Sequence, residues 1–154
     1  MMYKNRLKSL REEPINFIRQ KEIATMLDIH VSDYCQYEGE ASIMPLKHLN
    51  QICNYFNVSL DYIFEFANQK NYTNIISQNI DLNKMAKRIK ALRMNKNLTQ
   101  ENFAGEINIK QSLVSKYENG LKLVSTKNLY EICKKYNVSA DYLLGKIDEP
   151  KYLK

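Results

Sequence analysis

The sequence has no apolar run approaching the roughly 18 residues that a membrane-spanning helix requires. Nor does an apolar stretch follow the basic N-terminus MMYKNRLKSLREE, so no secretory signal is expected and the chain reads as soluble and cytoplasmic. Cysteine is scarce: Cys35, Cys53 and Cys133 form no CxxC pair, and an odd number without a signal argues against a disulfide framework. With only His30 and His48 beside them, no zinc site is expected, and each thiol reads as a small buried side chain. GxSxG, HExxH and the P-loop are all missing, as is a histidine beside a nucleophilic cysteine, so neither an enzyme nor a cofactor is expected. Both histidines read as surface residues rather than general bases. No segment alternates with the period of two that a strand requires.

What the chain does contain is an uneven charge and a repeat. Of the net charge of +6, residues 1–68 contribute seven Lys or Arg against nine Asp or Glu, and residues 82–154 contribute fifteen against seven. A basic half joined to a mildly acidic half places a polyanion-binding surface in the second. The repeat has an offset of 80: HLNQICNYF (48–56) returns as NLYEICKKY (128–136), and NVSLDYIFE (57–65) as NVSADYLLG (137–145). The same offset lays QKEIATMLDIHVSDYCQYEGE (20–40) over QENFAGEINIKQSLVSKYENG (100–120). RLKSLR at 6–11 matches RIKALR at 88–93 with an offset of 82, which puts two extra residues in a loop of the first copy.

Each copy reads as five short helices. Met85, Ile89 and Leu92 recur at helical spacing, as do Leu129, Ile132, Cys133 and Tyr136. Thr99 is a good N-cap for a helix through Glu106, Ser125 for one through Tyr136, and Ser139 for a last helix to about Gly145. The resulting domains are 1–68 and 82–148, with a polar linker at 69–81 and a tail at 149–154.

The middle of the second copy has the layout of a helix-turn-helix. Ala104 is small where two helices must cross closely, and Asn108 tolerates the left-handed conformation that the turn needs. Val114 and Tyr117 point to the core with Phe103 and Ile107, which leaves Gln111, Ser112, Ser115 and Lys116 on the opposite face. That is a polar, hydrogen-bonding face of the width a major groove admits.

TQENFAGEINIKQSLVSKYENG resembles the helix-turn-helix of the Cro/C1-type (XRE) family of phage repressors and bacterial regulators, and the similarity continues over most of residues 82–146. The resemblance implies an all-α fold of two tandem five-helix, lambda-repressor-like DNA-binding domains. It also implies that Thr99 and Gln100 open the second helix, where Gln100 braces a phosphate and the reading glutamine Gln111. Base edges are then read by Gln111, Ser112 and Lys116. Gln bonds bidentately to adenine and Lys donates to guanine, while Leu113 meets a thymine methyl. Ser115 lies on the same face, and Asn119, Lys122 and Lys127 match positions that contact phosphates. Arg93 and Glu118 resemble the family's structural ion pair.

In the first copy Arg11 and Glu38 stand for that pair, Ala24 for Ala104, Asp28 for Asn108, and Tyr34 and Tyr37 for the core pair of the reading helix. The groove face becomes Val31, Ser32, Asp33 and Gln36, with Arg19 for Thr99 and Glu40 for Gly120. Gln20, Ser32 and Gln36 form a possible second DNA site. The alternative is a surface for self-association or another protein, which the acidic balance of this half favours. The expected function is a sequence-specific, double-stranded-DNA-binding transcriptional regulator, a repressor since operator occupancy alone blocks polymerase. The competing reading is an antitoxin-like or adaptor protein that keeps the fold and binds DNA weakly.

Overall fold

The computed structural model describes residues 2–150, so the expected tail lies outside the described residues from 151 onward. The chain divides between Tyr72 and Thr73 into two compact units. Every helix or strand element among the described residues is helical, and none of these helices is long and apolar enough to cross a membrane.

The first unit contains α1 (Lys4–Arg11), a 3-10 turn (Pro14–Asn16), α2 (Gln20–Met26), α3 (Val31–Glu38), α4 (Leu46–Phe56) and α5 (Leu60–Ile63). Its core is built from Leu7, Leu10, Ile23, Tyr34, Leu49, Ile52 and Ile63, each at most 2% exposed. Tyr37, expected to turn inward beside Tyr34, is only half-buried. Helix α1 has Tyr3 at its N-cap position, and the Tyr3 side chain makes no capping hydrogen bond. Instead the amides of Met2, Tyr3 and Lys4 all donate to Oε1 of Glu40, at 2.7, 2.7 and 3.0 Å. Glu40 adopts φ 57°, the left-handed conformation that Gly120 also adopts at φ 67°. A cap for an otherwise bare helix end thus offsets the strain of a non-glycine residue there.

The second unit contains α6 (Leu82–Asn95), α7 (Gln100–Glu106), α8 (Gln111–Glu118), α9 (Thr126–Tyr136) and α10 (Ala140–Leu143). Four of the five begin with a side-chain cap: Asp81 Oδ1 accepts from Lys84 N at 3.0 Å, Thr99 Oγ1 from Asn102 N at 3.1 Å, Ser125 Oγ from Asn128 N at 3.2 Å and Ser139 Oγ from Tyr142 N at 3.1 Å. Helix α10 stops at Leu143, short of the expected Gly145, because Gly145 turns left-handed at φ 78° and the Lys146 amide bonds back to the Asp141 carbonyl at 2.9 Å. Phe103, Val114 and Tyr117 are at most 1% exposed. Burying such a side chain contributes about 2 kcal/mol, against about 1 kcal/mol for a cap, so packing rather than capping sets the angle of α8.

Residues 69–81, expected as a linker, are divided between the units, 69–72 belonging to the first and 73–81 to the second. The Lys70 carbonyl accepts from Ser59 N at 2.7 Å, Asn71 Nδ2 donates to Asn57 Oδ1 at 2.8 Å and Tyr72 Oη donates to Asp61 Oδ2 at 2.6 Å. Beyond the boundary, Ile76 N donates to the Lys146 carbonyl at 3.0 Å and Asp81 N to the Leu144 carbonyl at 2.9 Å. A charge-balanced polar sequence looks like a free tether, yet its backbone groups find partners at the ends of α5 and α10.

Replacing Glu40 by Ala leaves three amides at and just before the start of α1 without their acceptor. The substitution is expected to lower unfolding free energy by about 1 kcal/mol, read from the urea midpoint at unchanged slope.

Candidate nucleic-acid interface

The turn between α7 and α8 forms as its residues require: Asn108 adopts φ 55°, the Ile109 amide donates to the Ala104 carbonyl at 2.9 Å, and Ala104 is buried where the helices cross. This seats α8 with Val114 and Tyr117 inward and Gln111, Ser112 and Lys116 exposed, while Leu113 and Ser115 are half-buried.

A chain of polar side chains runs from the core to that face. Arg93 donates from Nε to Glu118 Oε1 at 2.6 Å and from Nη2 to Oε2 at 3.1 Å, and its Nη1 donates to the Leu98 carbonyl at 2.7 Å. The Glu118 side chain is 2% exposed and that of Arg93 13%. The hydrogen bond that Arg93 donates to Glu118 holds its guanidinium above the usual pKa, against the opposing effect of desolvation. Gln100 Nε2 donates to Glu118 Oε2 at 2.8 Å, and Gln111 Nε2 donates to Gln100 Oε1 at 2.7 Å. The bond to Glu118 fixes which end of the Gln100 amide faces outward, and Gln100 in turn orients Gln111. Gln111 keeps its second Nε2 hydrogen and its carbonyl oxygen for a ligand, the donor–acceptor pair that an adenine edge matches. An open depression at this end is lined by Arg93, Thr99, Gln100, Glu101 and Gln111. Glu101 carried no signal in the sequence, since it is one acidic residue in a first helical turn, where such residues are common.

Asn119 lies at the far end of α8, where its Nδ2 donates to Ser115 Oγ at 3.3 Å. Lys122 and Lys127 are exposed in the following loop and the first turn of α9. Two further hydrogen bonds, invisible in the sequence, join this scaffold to α9: Asn128 Nδ2 donates to Tyr117 Oη at 2.9 Å, and Tyr136 Oη donates to Glu106 Oε2. Burial, helped by the Glu106 carboxylate, pushes the Tyr136 hydroxyl pKa up.

The first unit builds the same beginning and a different end. Arg11 Nε donates to Glu38 Oε1 at 2.7 Å, its Nη1 to the Ile18 carbonyl at 3.3 Å, and Gln20 Nε2 to Glu38 Oε2. The outward carbonyl of Gln20 is then taken by the Cys35 thiol at 3.2 Å. Cys53 and Cys133 are buried as expected, but Cys35 is exposed, because it stands on the outer face of α3 beside Gln20. Val31, at the place of Gln111, is 44% exposed and apolar. Ser32, Asp33 and Gln36 are exposed, and Gln36 Oε1 accepts from Ser42 Oγ at 3.2 Å. His30 is exposed and His48 half-buried, its Nδ1 lying 3.1 Å from Gln51 Oε1.

Residues 89–143 match the helix-turn-helix family. Over 61 residues, 40% of the chain, the sequence is 43% identical to the antitoxin PezA of Streptococcus pneumoniae, covering 39% of that protein. Over 67 residues, 44% of the chain, it is 37% identical to the HTH-type transcriptional regulator ImmR of Bacillus subtilis, covering 53% of it. The chain thus spans about half the length, or less, of the curated relatives it matches. Its second half carries a helix-turn-helix domain from the middle of α6 to the end of α10.

Arg93→Ala strands the Glu118 carboxylate and is expected to cost about 3 kcal/mol of stability. Gln111→Ala, at an exposed helix start, is expected to change it by less than about 0.5 kcal/mol. Parallel urea titrations check both.

Proposed function

We propose that residues 82–148 form the reading head of a sequence-specific, double-stranded-DNA-binding transcriptional regulator that acts in the cytoplasm as a repressor. The observation that carries the reading is the chain Arg93–Glu118–Gln100–Gln111, which ends in an exposed glutamine at the start of α8. In this reading α8 enters the major groove. Gln111 engages an adenine, Lys116 a guanine, Ser112 a base or sugar edge, and Leu113 a thymine methyl. Ser115 supports the face, while Thr99 and Gln100 on one side and Asn119, Lys122 and Lys127 on the other hold phosphates. The net charge of residues 82–154, fifteen cations against seven anions, supplies the attraction. The likeness to a transcriptional regulator supports this reading.

The likeness to an antitoxin supports a second reading, a protein-binding adaptor that keeps the fold. The two differ in salt response. A regulator that neutralises several phosphates loses affinity for mixed-sequence DNA by roughly tenfold or more between 50 and 200 mM salt. A flat response over that range selects the adaptor.

For the first unit we infer a tandem copy of the fold whose face has moved from DNA to protein, a second copy of this chain included. Val31 is apolar and exposed where the reading glutamine would stand, and Ile15 and Phe17, in the connection before α2, are 93% and 58% exposed. Retention of Gln20 with Ser32 and Gln36 supports the competing view of a second DNA half-site. Selecting bound duplexes from a random pool separates them: one recognised half-site per chain is expected, and two distinct half-sites per monomeric chain point to a reading first unit.

Gln111→Ala is expected to weaken operator binding by about 1–3 kcal/mol and relax one base position, whereas Lys122→Ala weakens all sequences alike. Unchanged base preference after Gln111→Ala removes Gln111 from the reading role.

A further inference from the structure

Helix α9 carries Lys127 in its first turn, and Asn128 Nδ2 in the same turn donates to Tyr117 Oη of α8 at 2.9 Å. Asn128 directly follows Lys127, and Tyr117 directly follows Lys116. The bond therefore links the residue next to the proposed phosphate anchor with the residue next to the proposed base reader. Tyr117 is 1% exposed, so its ring is fixed by packing and only its hydroxyl is left to be placed. The backbone of Asn128 is fixed from its own side, since its main-chain N–H donates to the Ser125 cap at 3.2 Å.

The other helix of the motif is braced in the same manner. Tyr136 near the end of α9 donates to Glu106 at the end of α7, and its ring stacks on Phe103 with centroids 5.3 Å apart and planes 7° from parallel. In the first unit, position by position, these residues become Tyr37 with His48, and Phe56 with Met26. The His48 ring bonds within its own helix to Gln51 at 3.1 Å, and Phe56 offers no hydroxyl for the second brace. The braces thus accompany the unit that has the glutamine-tipped face and not the one that lacks it.

We propose that Tyr117 and Asn128 are positioning residues, which set the register between the phosphate anchor at the start of α9 and the base-reading face of α8. The proposal rests on the reading of α8 given above. Phosphate contacts fix where a protein sits on a duplex and base contacts need placement within about half an ångström, so a strut between the two elements acts on discrimination more than on general affinity. A phenylalanine at 117 would fill the same space, so the packing of the ring survives the loss of the hydroxyl.

The test uses the full chain as wild type, Tyr117→Phe, Asn128→Ala and the double variant, with Kd measured for a duplex selected from a random pool and for mixed-sequence DNA, and Tm recorded alongside. Each single variant is expected to reduce the preference for the selected duplex about tenfold. Affinity for mixed-sequence DNA and its salt slope are expected to stay unchanged, and the double variant to lose no more than either single one. A lowered Tm with an intact preference overturns the proposal and leaves the bond a purely structural role. Independent, additive losses of preference also overturn it, since the two residues would then not act through one bond. A wild type without preference for any duplex removes the DNA-reading function itself, and this inference with it.

Discussion

A carboxylate inside a helical core is tolerated only with its charge matched and its oxygens bonded, and Glu118 is such a group. Arg93 takes both of its oxygens, and Gln100 shares one of them. Much of the second unit follows from that requirement. The arginine holds the end of α6 against α8 and clamps the Leu98 carbonyl in the loop before α7. The glutamine ties the first residue of α7 to the same point. Because its amide nitrogen is committed inward, its carbonyl turns outward and selects the orientation of Gln111. Two side-chain amides, the half-buried Gln100 and the exposed Gln111, are thereby held in one orientation, and on the proposed function the ordering cost of binding is correspondingly smaller.

The first unit shows the same requirement with another outcome. Glu38 is buried and is met by Arg11 and Gln20, so the inner half of the chain is intact. The outer half differs because Val31 has nothing to donate, and the Cys35 thiol on the next turn of the helix takes the free carbonyl. One substitution at the helix start, with a thiol available nearby, turns a polar tip into an apolar one without disturbing the scaffold. The charge of each half agrees with that division, mildly acidic for residues 1–68 and strongly basic for 82–154.

How much of this could be read from the sequence depends on the distance over which each feature is encoded. The caps Thr99, Ser125 and Ser139, the left-handed Asn108 and the inward Val114 and Tyr117 are local patterns, and all are present in the structure. The pairing of Arg93 with Glu118 was legible through the family resemblance. Glu40 was not: it reads as a departure at a glycine position, and its cap of α1 is a contact across 36 to 38 residues. The Tyr117–Asn128 bond and the tying down of residues 69–81 were hidden for the same reason, since neither leaves a mark at helical or strand spacing. Cys35 misled because cysteines are usually buried, whereas helix geometry puts this one on the outer face.

The proposed division of labour between the two units is tested most directly by nuclear magnetic resonance on the labelled full chain, titrated with a duplex selected from a random pool. Backbone amide signals of Gln111, Ser112 and Lys116 should move, with the side-chain amides of Gln100 and Gln111 following them, while Val31, Ser32 and Gln36 stay in place. Shifts at Val31, Ser32 and Gln36 with Gln111 unmoved would contradict the account.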